Sequence, residues 1–389
     1  MLVDFTLLQG PDDLHVFLDC DKALTELLVE GSHDVLFMRH EIPKKNGKGV
    51  REIWEVRGDR IGDVYKSLAR KLDRFIRSRW PDFPHPAAHG YIRDRSTLTN
   101  AREHIGANTV LKADIKSFFR SINSAKVIAL FDRLGLSHNG ARALAALVVR
   151  EDHLPLGLPT SPILANAVCH RLDGRLAALV PGGHYTRFAD DLSFSGPSLP
   201  SKAVVQAELK VDGFDLAETK WRLARTGRGL FVTGLSLEDR LKPRIPKATK
   251  RRLRQDLYHA DKWGLDSHLG ARGYASLQSG INKIDGLIRY IRGVERDFGL
   301  DCHAKWQRIL KKTEAEVSYA SEGNLAARNV LFVVDESVVA APTGPVLIVA
   351  LVVVEDIDLV RTTLDSFRKR LAHNPFGSTD KKVLSTKGL

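Results

Sequence analysis

The sequence predicts an α+β fold, and three observations carry that expectation. Apolar residues recur at helical spacing through several long segments, as in Val64, Leu68, Leu72, Phe75 and Ile76. Short alternating runs flank tight turns, and 185–188 and 192–195 on either side of Ala189-Asp190-Asp191 read as a β-hairpin. After about residue 322 the composition turns Val-rich, which marks a separate terminal segment. At 389 residues the chain has length for two or three domains of roughly 150 residues each. Its 43% hydrophobic and 27% charged residues are ordinary globular composition and exclude a disordered or fibrous chain.

Taken in order, a helix is expected over 11–30, with Leu14, Phe17, Leu18, Leu24, Leu27 and Leu28 as its apolar stripe. Strands at 34–41 and 50–56 flank the basic turn Lys44-Lys-Asn-Gly-Lys48. A stronger helix runs over 62–80 and stops before Pro81, and the Pro-rich stretch 81–89 connects onward. A helix at 96–105 precedes a strand at 109–115 that ends in an acid; helices follow at 124–134 and 138–150. Leu154-Pro-Leu-Gly157-Leu-Pro159-Thr-Ser-Pro162 is a turn-rich loop leading into a helix over 163–180. Beyond the hairpin, a helix near 200–211 and strands around 221–225 and 229–235 are expected. Arg240 to Arg254 holds eight Lys/Arg in fifteen residues and no acid, with Pro243 and Pro246 ahead of a helix starting near Thr249. A helix over 281–297 carries Ile281, Ile284, Leu287, Ile288, Ile291 and Val294 on one face. The tail reads as strands at 329–335 and 346–355 and a helix at 356–372.

Lys and Arg number 59 against 47 Asp and Glu, a formal charge of +12 that favours a polyanionic partner, nucleic acid before membrane. Cys20, Cys169 and Cys302 are scattered, which suggests neither a disulfide framework nor a zinc site. Met1-Leu-Val-Asp4 lacks the basic start of a signal peptide, and the longest apolar run, Val346 to Val354, is too short to span a bilayer. A cytoplasmic setting without membrane contact is expected.

Two segments place acids where apolar strands end: Val110-Leu-Lys-Ala-Asp114-Ile115-Lys-Ser-Phe-Phe119 and Tyr185-Thr-Arg-Phe-Ala-Asp190-Asp191-Leu-Ser-Phe-Ser195. Burying a carboxylate is costly unless it is paired or bound to metal, and converging carboxylates repel one another until a cation neutralises them. Mg²⁺ suits such hard oxygen donors. Two ions about 3.5–4 Å apart would stabilise the attacking and leaving oxygens of an in-line phosphoryl transfer. Taken alone, an Asp-Asp between strands reads as a solvated turn, and an Asp after a strand as a helix cap. The two segments together shift the balance toward chemistry.

These residues carry a family resemblance. Phe188-Ala-Asp190-Asp191 resembles the catalytic hairpin of bacterial reverse transcriptases, and Asp114-Ile-Lys-Ser-Phe-Phe-Arg-Ser-Ile122 resembles their preceding catalytic strand. The loop from Leu154 to Pro162 resembles their substrate loop, and Lys220 stands where they carry a lysine after the next helix. Asn100-Ala-Arg-Glu-His104, matching Asn-Ala-x-x-His, and Val232-Thr233-Gly234 are similar to marks of the retron subgroup. The resemblance covers about residues 30 to 300. Two positions depart from it: Leu156 replaces the usual Gln of the substrate loop, and Phe188 the usual Tyr.

The resemblance implies a right-hand polymerase: an N-terminal helical segment over 1–30, fingers and a palm with an antiparallel sheet over 31–235, and a basic helical thumb over 236–321. A short α/β appendage over 322–389 completes the expected plan. It implies that Asp114, the carbonyl of Ile115 and Asp190 ligate two Mg²⁺ ions. Asp191 is expected as a weaker supporting carboxylate, because successive strand residues point to opposite faces. Phe119 is expected beneath the sugar, where it would clash with a ribose 2′-OH, although alone it reads as a core aromatic. Arg51 would grip the triphosphate, Gly157 and Pro159 would line the nucleotide site, and Lys220 would neutralise departing pyrophosphate. Asn100, His104, Val232, Thr233 and Gly234 are expected to contact RNA, with Lys250, Arg251, Arg252 and Arg254 on phosphates. Asn100 and His104 could equally be a satisfied helix-surface pair.

The tail, Val330-Leu-Phe-Val-Val-Asp335-Glu-Ser337 onward, resembles the start of an RNase H-like domain in which Asp335 would bind metal. A small strand–strand–helix appendage is the better reading, and no nuclease activity is expected. The implied function is RNA-directed synthesis of a small DNA from dNTPs on a structured non-coding RNA, passing through an RNA–DNA duplex. Anti-phage defence, priming from an RNA 2′-OH and an effector protein partner are part of that implication. Two rivals stay open: a template-independent DNA-extending relative of the abortive-infection kind, and an RNA-binding scaffold without catalysis. An intron maturase is disfavoured, because no maturase region follows the thumb.

Overall fold

The computed structural model describes residues 3–30, 36–43, 49–274 and 276–319, and the backbone of two strands within 331–341 and 344–354. Two compact units emerge: Met1–Gly273 with Lys283–Glu314, and Tyr274–Asn282 with Ala315–Leu389.

In the first unit the N-terminal stripe is broken into two helices, α1 (Leu14–Leu18) and α2 (Lys22–Glu30). Asp19 adopts φ 54°, a left-handed residue that ends α1 and interrupts the single helix expected over 11–30. Strands β1 (Phe37–Pro43) and β2 (Val50–Val56) form an antiparallel hairpin with Phe37 opposite Val56. The basic turn 44–48 lies outside the described residues. Helix α3 (Asp59–Arg79) buries Tyr65, Leu68, Leu72, Phe75 and Ile76 at helical spacing and ends at Trp80, ahead of Pro81. Helix α4 (Thr97–Arg102) starts on a capping box in which Ser96 and Thr99 satisfy each other's backbone amides.

A four-stranded antiparallel sheet in the order β4-β5-β3-β6 forms the centre of this unit. Its strands are β3 (Thr109–Asp114), β4 (His184–Phe188), β5 (Asp191–Ser195) and β6 (Arg222–Arg225). Short helix α5 (Phe118–Ser121) and helices α6 (Ser124–Arg133), α7 (His138–Val148), α8 (Ser161–Val168), α9 (His170–Ala178) and α10 (Lys202–Val211) surround it. The helix expected over 163–180 is two helices that meet at Cys169. Tyr185, Leu111 and Phe194, buried among Leu172, Leu176 and Leu209, belong to one continuous core.

Residues 229–235, expected as a strand, are a tight hairpin of β7 (Phe231–Val232) and β8 (Leu235–Ser236). Thr233 and Gly234 form its turn with φ 45° and 82°, the double positive φ that a two-residue hairpin connection uses. Helices α11 (Lys247–Trp263), α12 (Leu265–Ala271), α13 (Leu277–Val294) and α14 (Arg296–Lys312) follow. The segment expected to be one helix over 281–297 is divided between α13 and α14. The break falls at Glu295, whose carboxylate accepts from Ile245 N at 2.7 Å and Lys250 Nζ at 2.6 Å.

In the second unit, β9 (Leu331–Ala341) and β10 (Gly344–Val354) pair antiparallel, with Asp335 opposite Ala350. The helix expected at 356–372 lies outside the described residues.

Candidate active site

Strand β3 is the inner strand between β5 and β6, and its register with β5 sets Asp114 directly opposite Asp191. Alternation therefore places both carboxylates on the same face of the sheet, as cross-strand neighbours. Asp191 therefore meets Asp114 through the strand register itself. Asp190 lies in the turn of the β4–β5 hairpin, and its carbonyl accepts from Ile115 N at 3.0 Å. The two acidic segments are thus tied together by backbone as well as by register.

Like charges placed this close perturb their own titration. Burial raises the Asp114 pKa, the Asp190 charge raises it further, and the balance lies at about 7 despite the opposing Lys220. Burial and Asp190 also raise Asp191, which shares a hydrogen bond with Asp114. Lys220 pairs with Asp114 Oδ2 and lies 4.0 Å from Asp190 Oδ2. Burial alone would lower the pKa of Lys220, but its bond to Asp114 and the surrounding acids raise it. The lysine is delivered by a segment that runs along the end of β3, where Ala217 N donates to Asp114 O and Lys116 N to Asp215 O, each at 2.8 Å.

This donor set fits Mg²⁺. Among the described residues no three acids form a cage by themselves. Mg²⁺ seldom uses one, since it takes one or two carboxylates and fills its shell with water and substrate phosphate. The ammonium of Lys220 already lies among these carboxylates, so the site demands positive charge. Asp114, Asp190 and Asp191 are the residues that would hold the ions.

The hairpin is braced from the opposite face. Arg187, fully buried, donates to both oxygens of buried Asp173 at 2.8 and 2.7 Å and to Ala189 O at 3.2 Å. Tyr185 Oη adds a bond to Asp173 at 2.9 Å. Outside β4 lies the segment 87–90, where Arg187 N donates to Ala87 O at 2.8 Å and His89 N to Arg187 O at 2.7 Å. A Cβ on Gly90 would come 2.5 Å from Ala189 N, so the hairpin turn packs where only glycine fits. Sequence reasoning missed Asp173, Arg187 and Gly90. The available signal was a charged residue at an apolar-face position, Asp173 between Leu172 and Leu176.

Of the expected nucleotide-site residues, Phe119 is half-buried, 5.3 Å from Phe118 between ring centroids. Arg51 is exposed on β2. The substrate loop docks against that strand: Trp54 N donates to Leu156 O at 2.8 Å, and Gly157, at φ 117°, passes beneath the Trp54 carbonyl. Leu156 thus contributes a backbone contact to the β1–β2 hairpin. Pro159 is half-buried in the same loop. Glu52, beside Arg51, pairs with Arg39 and Arg120, which links the hairpin to the segment carrying Phe119.

The expected RNA contacts divide. His104 is 0% exposed, and its ring nitrogens bond Ser195 Oγ and Thr186 Oγ1 at 2.7 Å each. Burial holds it neutral, lowering its pKa to about 3. Asn100 and Val232 are buried as well. Thr233 Oγ1 donates to Thr97 O at 2.9 Å, so the hairpin of Val232-Thr233-Gly234 clasps the helix that carries Asn100. His104 braces the sheet and the Val232–Gly234 hairpin packs on the helix beside it, an arrangement that sequence spacing could not separate from surface contact. Lys250 is held by Glu295, and Arg254 lies over the Phe298 ring at 4.8 Å. Arg251 and Arg252 are exposed.

Residues 42–237 match the reverse transcriptase (RNA-dependent DNA polymerase) family. The chain is 32% identical to the retron Mx65 reverse transcriptase of Myxococcus xanthus over 280 residues, 66% of this chain and 61% of that protein. It is 35% identical to the retron Mx162 reverse transcriptase of the same organism over 216 residues, 46% of this chain and 44% of that protein. With the retron Ec86 reverse transcriptase of Escherichia coli it shares 30% identity over 224 residues, 55% of this chain and 69% of that protein. The matches thus span less than two thirds of the two Myxococcus relatives. Sheet, paired acids and family match define the palm of a right-hand polymerase. Within that class, the chain belongs to the retron-type reverse transcriptase family.

Proposed function

We propose that this chain is an RNA-directed DNA polymerase that copies part of a cognate structured RNA into a small DNA, within an anti-phage system and in the cytoplasm. The observation that carries the reading is the register that sets Asp114 opposite Asp191, with Asp190 at the adjoining turn. In the same reading, 31–235 acts as fingers and palm and 236–321 as thumb.

Bound Mg²⁺ would neutralise the triphosphate and the attacking oxygen. Asp114, Asp190 and Asp191 hold that charge in place. Arg51 orients the phosphates, Phe119 lies beneath the sugar, and the substrate loop around Gly157 and Pro159 fixes the base pair. The primer hydroxyl attacks the α-phosphate, and Lys220, released from Asp114, neutralises the departing pyrophosphate. Little covalent help is required, because positioning and electrostatics supply most of the acceleration. Beside the palm, a groove of about 410 Å³ lined by Arg70, Arg74 and Arg93, with Arg77 held by Asp73, suits the phosphates of an incoming template strand. Arg251 and Arg252 on the thumb suit the duplex backbone.

Sequencing the DNA made by the purified protein on its co-purifying RNA tests this reading. A faithful complement of that RNA supports it. Random sequence would indicate template-independent extension, and no product would indicate a scaffold.

A further inference from the structure

Tyr91 lies at the nucleotide end of the palm, and no step above uses it. Its backbone has φ 62°, the left-handed region that a bulky side chain rarely enters. Such strain persists where the surroundings over-determine it, and it concentrates at functional sites. Here the cause is local. Gly90 is pressed against Ala189 N, and Asn166 Nδ2 donates to Gly90 O at 3.0 Å, so the segment that carries Tyr91 is held against the turn that carries Asp190.

The side chain points toward the site. Its ring meets Phe119 edge to face, with centroids 6.0 Å apart and planes at 67°. The phenol is raised in pKa by burial and by the Asp190 charge and lowered by Arg51, so it stands within electrostatic range of both. Yet Tyr91 is 51% exposed, too open for a core aromatic.

We propose that Tyr91 is a positioning residue for sugar selection, its ring fixing Phe119 in the orientation that excludes a ribose 2′-OH. The inference rests on the polymerase reading and on Phe119 lying beneath the sugar. Phe119 is half-buried on a one-turn helix, and on one side its orientation is set by the Phe118 ring. Tyr91 supplies the other side, and without it Phe119 can move to another staggered rotamer.

Single-nucleotide incorporation opposite a template C, with dGTP and with GTP, tests this. The ratio of the two kcat/KM values is the readout, because a purely structural defect lowers both alike. Tyr91→Ala is expected to reduce the ratio about tenfold, and Tyr91→Phe to keep it within about twofold, since the ring acts and the hydroxyl does not. Phe119→Ala should reduce it at least as far. The double variant should fall no further than Phe119→Ala, since Tyr91 acts through that ring. An unchanged ratio in Tyr91→Ala, an equal loss for both nucleotides, or additive losses in the double variant would overturn the proposal. An unchanged ratio in Phe119→Ala overturns both the sugar-contact role and this inference. A wild-type protein that incorporates neither nucleotide overturns the polymerase reading itself.

Discussion

Asp114 ends an inner strand where burial, and then the nearby Asp190 charge, hold its proton up to about 7, against 3.8 for an ordinary aspartate. Between those values the folded chain keeps a proton that the unfolded chain has lost. Stability of the metal-free protein should therefore fall as pH rises through that window. Thermal unfolding in EDTA from pH 4 to 8 is expected to show the decline, and Asp114→Asn to flatten it. A wild-type profile no steeper than that of the variant would contradict the electrostatic account. Asp114, Asp190 and Asp191 were legible in the sequence because two strand-end acidic segments occur together; either one alone reads as a helix cap or a solvated turn. Tyr91 was not legible: a single aromatic after a Pro-rich loop carries no periodicity, and its value lies in a backbone angle.

The β4–β5 hairpin works as an element because it is clamped on both faces. Arg187 and Asp173 brace one face, His104 with Ser195 and Thr186 the other, and Gly90 underlies the turn. Gly90→Ala should displace the turn and, with it, Asp190. Misplacement on the order of 1 Å costs about 10²-fold in rate, so kcat is expected to fall by about that factor while circular dichroism reports a folded protein. Wild-type kcat in that variant would remove Gly90 from the account. The hairpin itself was readable from alternation around Ala189-Asp190-Asp191. Its bracing was not, because Asn100 and His104 looked equally suited to a surface, and only their burial assigns them to packing. Helices α12 and α14 went unrecognised for a related reason. Charged residues interrupt their apolar positions, and the Glu295 break falls inside a continuous helical pattern.

For the whole molecule, the formal charge of +12 matters through where it is left unpaired. Within the Arg240–Arg254 run, Arg244 and Lys250 are held by Glu295, and Arg254, though exposed, lies over the Phe298 ring. Arg251 and Arg252 remain exposed on α11. Replacing both with Gln should weaken RNA binding and reduce the slope of log K against log salt by about 1 to 2, at roughly 0.7–0.9 for each phosphate no longer neutralised. Filter binding across a salt series measures this, and an unchanged slope would place the duplex elsewhere. The fold class and the order of palm elements were legible because motif order and strand periodicity agree. Internal ion pairing was hidden, since a run of basic residues does not reveal which of them meet an acid far along the chain.

The central claim is that Asp114, Asp190 and Asp191 together support metal-dependent nucleotidyl transfer. Its most direct test is primer extension by the Asp190→Asn protein on an RNA template with dNTPs and Mg²⁺, alongside a binding measurement on the same RNA. The expected result is loss of incorporation with RNA affinity largely retained. Incorporation at the wild-type rate would contradict it.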